Sequence, residues 1–127
     1  MAKVSVDGKR IGVTNIVEFP KIIYPPNQGS EINSESLVYR NGVFTIKVPG
    51  YYEVNINFYS THSGGLQAEL LINNRNGFLF GGRAGRASLN MSTIVKLNYG
   101  DHVNVKIRRG RSSTFADANN FSIRKID

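Results

Sequence analysis

Few residues of this 127-residue chain have types and spacing that could do chemistry. Cys is absent, which removes thiol nucleophiles, disulfide frameworks and thiolate zinc sites. Histidine stands only at His62 and His102, too sparse to build a metal cluster within one chain. "STHSGG" sets Ser60 and Ser63 beside His62. A nucleophilic serine needs a base and an orienting acid brought together in space, however, and no G-x-S-x-G elbow is present. Asp101 and Asp117 form no recognisable carboxylate pair, and Asp101 is better explained as a turn former. "GGRAGR" is glycine-rich but lacks the Lys-Ser/Thr and the helix of a phosphate loop. The expectation is therefore no enzyme, no metal and no cofactor.

What remains is charge. Sixteen Lys and Arg against nine Asp and Glu give a net charge of +7. That balance favours acidic partners such as anionic glycans, although it also serves plain solubility. The densest basic run is "KIRRGR". On a strand, Lys106 and Arg108 share the outward face while Ile107 points inward, and Arg109 and Arg111 fall at the following loop. Arg83 and Arg86 stand in "GGRAGRASLN", read as an exposed loop. These six are the candidate anion contacts, set against a solvated strand end and a solvated loop. Nucleic acid is disfavoured as a partner, because aromatics interleaved for base stacking are not evident outside the expected core. Two Asn-x-Ser sequons begin at Asn90 and Asn120, and would matter only in a eukaryotic secreted protein.

The elements that position these residues have period two throughout. Val4 and Val6 alternate with polar neighbours, and "DGKR" follows as a turn. Ile16, Val17 and Phe19 make a short apolar run ended by Pro20, and Tyr24–Glu35 reads as a loop. In "GVFTIKVPGYYEVNINFYS", Phe44, Ile46 and Val48 share one face, as do Tyr52, Val54, Ile56 and Phe58 beyond Pro49-Gly50. Pro cannot donate to a ladder, so the dipeptide marks a corner between two strands, with the sheet continuing past it. Leu66–Phe80 reads as a hairpin turning near Asn76-Gly77. Met91, Thr93, Val95 and Leu97 line one face, then Val103, Val105 and Ile107 after a Tyr99-Gly100-Asp101 turn. Gly110–Asn120 is a loop, and "FSIRKI" a last strand. No helical period of useful length and no apolar run fit to span a membrane are present, so the chain is expected to be soluble. The expected fold is all-β, with eight to ten short strands in a two-sheet antiparallel sandwich or jelly roll.

"GVFTIKVPGYYEVNINFYS" resembles the central motif of the C1q/TNF-like superfamily, the globular head of complement C1q and its relatives. Gly42, Phe44, Val48, Pro49, Gly50, Tyr52, Val54, Ile56 and Phe58 occupy the family's places. Leu97, Gly100, Asp101 and Val103 match its Leu and Gly-Asp-x-Val feature, and Phe121-Ser122 its last strand. The matches run in order from residue 42 onward, and residues 1–40 match loosely. The resemblance implies a single ten-stranded jelly-roll domain over 1–127 that assembles as a homotrimer and serves as a non-enzymatic binding module. Many family members hold calcium with acidic residues in the loop that here carries Arg83 and Arg86, so a calcium site is not expected. Three converging copies of that loop would instead form an arginine ring that binds anions.

On the outward face of the opening stretch, Tyr51 and Tyr59 flank Asn55 and Asn57, an odd mixture for solvated sheet and the candidate trimer interface. With Met1 present and no export signal, no collagen repeat and no Cys, the expected setting is a virion surface, as a phage spike, fibre head or capsid decoration protein for host attachment. Carbohydrate or another cell-surface receptor is the expected ligand, and a capsid or stalk protein the expected neighbour. The alternatives are a structural or capping role in a larger assembly, or a domain of a secreted or spore-surface protein. No membrane insertion is expected.

Overall fold

A computed structural model describes residues 1–60, 65–82, 87–114 and 117–126, with the backbone alone for 76–82 and 87. Among the described residues every regular element is a strand. In chain order these are β1 (Ala2–Ser5), β2 (Lys21–Tyr24), β3 (Ile32–Asn33), β4 (Leu37–Arg40), β5 (Val43–Ile46) and β6 (Gly50–Ser60). Then follow β7 (Leu66–Ile72), β8 (Arg75–Gly82), β9 (Ala87–Leu97), β10 (His102–Gly110) and β11 (Asn120–Lys125). Sheet A has the order β2-β1-β11-β6-β9 and sheet B the order β3-β4-β5-β10-β7-β8. All pairings between these strands are antiparallel. Ten of the strands have four residues or more, and β3 has two. The architecture is the jelly-roll sandwich that the alternation predicts.

Alternation decides which side chains meet. Tyr52, Val54, Ile56 and Phe58 of sheet A face Phe44, Ile46, Val103, Val105 and Ile107 of sheet B in one apolar core. Phe44 and Phe121 stack across it at 4.8 Å between ring centroids, joining the two sheets through their middles. Phe19 packs beside Phe121 at 6.0 Å, and Tyr39 beside Phe44 at 4.5 Å. Burying each such ring contributes about 1.5–3 kcal/mol relative to exposure.

Four local expectations need correction. The hairpin of β7 and β8 turns at Asn73-Asn74, both at positive φ, and not at Asn76-Gly77, which lies within β8. The corner at Pro49-Gly50 does not continue a sheet: β5 lies in sheet B and β6 in sheet A, so the chain crosses the sandwich there. Tyr52 Oη holds the crossing by donating to the Val48 carbonyl at 2.5 Å. Residues 24–35 are not loop throughout, since Tyr24 ends β2 and Ile32–Asn33 pair with β4. "GGRAGRASLN" contains strand at both ends: Gly81–Gly82 close β8, and residues from Ala87 onward begin β9.

The run around Val17 is a strap along the edge of β10, beside short β5. Thr14 and Ile107 exchange backbone bonds of 3.0 and 3.1 Å, and Val17 N donates to Val105 O at 2.8 Å. The strap buries Val17 and Phe19 and leaves Ile16 outside.

Candidate functional site

Sheet A presents one broad face away from the core, and register arranges its side chains in rows across the strands. One row is Asn90, Asn57 and Asn120, the next Ser92, Asn55 and Ser122, the third Ile94, Glu53 and Arg124. Tyr59 lies opposite Ser88 and Tyr51 opposite Lys96 at the two ends. The sequence-derived candidates Tyr51, Asn55, Asn57 and Tyr59 thus fall on this one face, with the core residues of β6 behind them. Asn57 Nδ2 donates to Asn120 Oδ1 at 3.1 Å, and Asn120 Nδ2 to the Asp117 carbonyl at 2.7 Å. Both sequons therefore start on this face. Tyr51 is 51% exposed and Ile94 57%, large apolar surface at the margin of an amide and hydroxyl field.

Its acidic positions are held locally. Arg124 Nε donates to Glu53 Oε1 at 2.8 Å, and this bond, stronger than the opposing desolvation, keeps the Glu53 carboxyl below its ordinary value. Asp117 accepts Ser5 Oγ at 2.8 Å and Lys21 Nζ at 3.2 Å; the Ser5 bond is the larger cause of its lowered pKa. The loop of Asp117 is itself anchored, because buried Asn119 accepts Tyr59 N at 2.9 Å and donates to Ser113 O at 3.1 Å. Sequence reasoning missed Asn119 and Asp117. Their long-range partners, Tyr59 for Asn119 and Ser5 for Asp117, lie tens of residues away, and no local pattern signals them.

The basic candidates separate. Lys106, on the outward face of β10, stands opposite Glu69 of β7. Arg108 occupies a register shift between Ile107 and Arg109, and its Nη1 bonds Glu69 Oε1 at 2.9 Å. The inserted residue turns Arg109 outward as well, opposite Gln67, so Arg109 belongs to β10 rather than to the loop. Arg111 follows the strand and is exposed. Gly110 makes the exit: at φ +83, a Cβ there would collide with the Gly65 carbonyl oxygen. Arg83 and Arg86, with the expected arginine ring, lie outside the described residues.

The described residues weighed for catalysis each hold a structural bond. Ser60 is buried and its hydroxyl donates to the Arg111 carbonyl at 2.8 Å. His102 Nδ1 lies 3.1 Å from Thr45 Oγ1; His62 and Ser63 lie outside the described residues. Both Asp101 oxygens are engaged, by Asn73 Nδ2 at 3.0 Å and Asn98 N at 2.7 Å, and the Asn73 bond leads in lowering its pKa. That carboxylate fastens the β9–β10 turn to the β7–β8 turn. Among the described residues no group of three or more His, Cys, Asp or Glu could hold a metal ion. No helix among them is long and apolar enough to cross a membrane.

Comparison with known proteins agrees with this geometry. The family model for the C1q domain matches residues 2–123, which takes in the loosely matching first forty. An Eiger TNF structure from S. frugiperda superposes with a TM-score of 0.76 at 13% identity, covering 99% of this chain and 91% of that one. The globular domain of zebrafish complement 1qA gives 0.70 at 17% identity, covering 99% and 96%. Murine APRIL at pH 8.5 gives 0.73 at 13%, covering 98% and 97%. A search of curated protein sequences found no match.

Proposed function

The chain belongs to the C1q domain family, and from that premise we propose that it is a non-enzymatic binding module working as a homotrimer. The observation that carries the reading is the outward face of sheet A. Across β9, β6 and β11 its middle rows hold only Asn and Ser, with Lys3 of β1 beyond Ser122, and they keep donors and acceptors at fixed spacing between Tyr51 and Tyr59. Tyr rings that bury their bodies while the hydroxyls find partners suit a subunit contact. β9 adds a second half to that contact. It is an edge strand of eleven residues with no shift in its register to β6, and an edge of that kind calls for a cover.

Lys106, Arg108, Arg109 and Arg111 lie on the other sheet, β10 and its exit. In a trimer they stand clear of the contact, with a formal charge of 3 × 7 = +21 on the particle. Three copies turn weak single contacts into useful avidity, and the partner that fits is an anionic glycan or a cell-surface receptor. Arg83 and Arg86 belong to the same proposal as a shared anion-binding ring. The setting we propose is a virion or extracellular surface, with a capsid or stalk protein holding the module.

Light scattering over a dilution series at two salt concentrations tests the assembly. The expected mass is three times the 14.1 kDa of one chain. A clean monomer at micromolar concentration overturns the reading.

A further inference from the structure

Away from the sheet A face, a concave pocket of about 270 Å³ opens where the segment after β1 meets the β4–β5 turn. That is just below the ~300–1,000 Å³ of sites for drug-sized ligands, the scale of a single small ring. Its floor is Phe19 and Tyr39. Lys9, Glu18, Ser30 and Asn41, from four separate stretches of chain, form the rim. We propose that this pocket binds one neutral sugar ring of a glycan. The inference rests on the binding-module reading only in supposing that the module has a ligand.

The rim chemistry selects the class. Lys9 offers donors alone, Glu18 acceptors alone, and Ser30 and Asn41 both. A sugar hydroxyl donates and accepts together, so this mixture suits a polyol, while the accessible Ile11 and Pro20, over the buried floor, take a C–H face. An anion would use Lys9 and be repelled by Glu18. A zwitterion would satisfy the two charges and leave Ser30 and Asn41 idle. Neither Lys9 nor Glu18 has an ion-pair partner among the described residues, so both are available. The rim is also formally neutral within a chain of +7, which sets it apart from the basic strand β10.

The pocket is preformed. Tyr39 Oη accepts from Phe19 N at 2.9 Å and donates to Phe19 O at 3.0 Å, fixing the floor. Asn41 has φ +48 and Gly42 φ +87. A Cβ on residue 42 would lie 2.5 Å from Val17 O, so the turn is pressed onto the strap and Asn41 is delivered to the rim in a set position. A site built before its ligand arrives loses less affinity to ordering.

The test is an amide NMR titration of the full chain with the methyl glycosides of glucose, galactose, mannose and N-acetylglucosamine. Glycylglycine and sulfate serve as the zwitterionic and anionic probes. The expected result is that at least one glycoside shifts the amides of Lys9, Glu18, Ser30 and Asn41. Glu18→Ala and Asn41→Gly, the latter retaining the turn, should each weaken that binding about tenfold. Three outcomes overturn the proposal: silence with all glycosides at tens of millimolar, shifts with glycylglycine or sulfate alone, or shifts centred elsewhere. The mass of the same samples separates the two readings. A monomer that binds sinks the assembly alone, and a trimer with a silent pocket sinks the sugar site alone.

Discussion

The two outward faces of the sandwich are made by the same alternation and end up chemically different. On sheet B, the strand pair β7–β10 carries Lys106, Arg109 and the Arg108–Glu69 pair, and its β3–β4 edge the pair Arg40–Glu31 at 3.1 Å. Such ion pairs and long basic side chains tolerate water and salt, and the exposed ones add little stability. On sheet A, two successive rows contain only Asn and Ser across β9, β6 and β11, and reach lysines only at Lys3 and Lys21 on β1 and β2. The middle strands of both sheets bury their inner residues almost completely, and Met91 and Ile22, on the edges of sheet A, are partly buried. The core therefore does not account for the contrast. What differs, on the proposed reading, is what each face would meet: solvent and anions on sheet B, a second copy of the chain on sheet A.

The sharpest way to break this comparison is to place a charge in each face. Asn57→Lys should raise the concentration needed for assembly by roughly a hundredfold or more, since like charges forced together cost several kcal/mol. Thr45→Lys, on the outward face of β5, should leave the mass unchanged. Light scattering reads both, and equal effects would end the distinction between the faces.

A smaller effect sharpens it through the two carboxylates. Glu69→Gln should lower stability in urea by about 1 kcal/mol, because Glu69 is buried while half-exposed Arg108 can turn to water. Glu53→Gln should lower the stability of the dilute chain by less than Glu69→Gln does, its pair with Arg124 being more exposed, and should weaken assembly as well. The reverse pattern would mean that sheet A is the solvated face.

The smallest expected effect concerns acid. Glu53, Asp101 and Asp117 all have lowered carboxyl pKa values in the folded chain. Their contribution is fully present above the ordinary values of 3.8 to 4.5 and is lost as the pH falls through the lower folded values. Melting temperature should therefore hold near neutrality and drop by a few degrees toward about pH 3. A constant melting temperature over that range would show that these bonds carry no stability.

The strands with strict alternation are legible in the order of residues alone. The row Tyr52, Val54, Ile56 and Phe58 can form only one face, and Tyr51, Asn55, Asn57 and Tyr59 follow as the other. The corner at Pro49-Gly50 is visible as a corner, but not as a crossing, because a break in pairing does not say which sheet receives the next strand. β2 and β3, of four and two residues, are too brief for a period to show. The strap, the Asn119 anchor and the Arg108 insertion depend on partners far along the chain, as in Thr14 with Ile107, Asn119 with Tyr59 and Arg108 with Glu69. The pocket is hidden for the same reason, its rim being collected from four stretches of chain.

Ala2 pairs with Ile123, and β11 sits between β1 and β6 in the middle of sheet A. The strand made last is therefore the one through which the other strands of its sheet are joined. A chain still on the ribosome holds β1 and β6 with a missing centre, and its sheet cannot close until residues 120–125 emerge. Closure of this unit then follows the synthesis of its last strand, at the slow pace of long-range β pairings. Because residues 2 and 123 are neighbours, anything fused before the first or shortly after the second leaves from the same end of the sandwich.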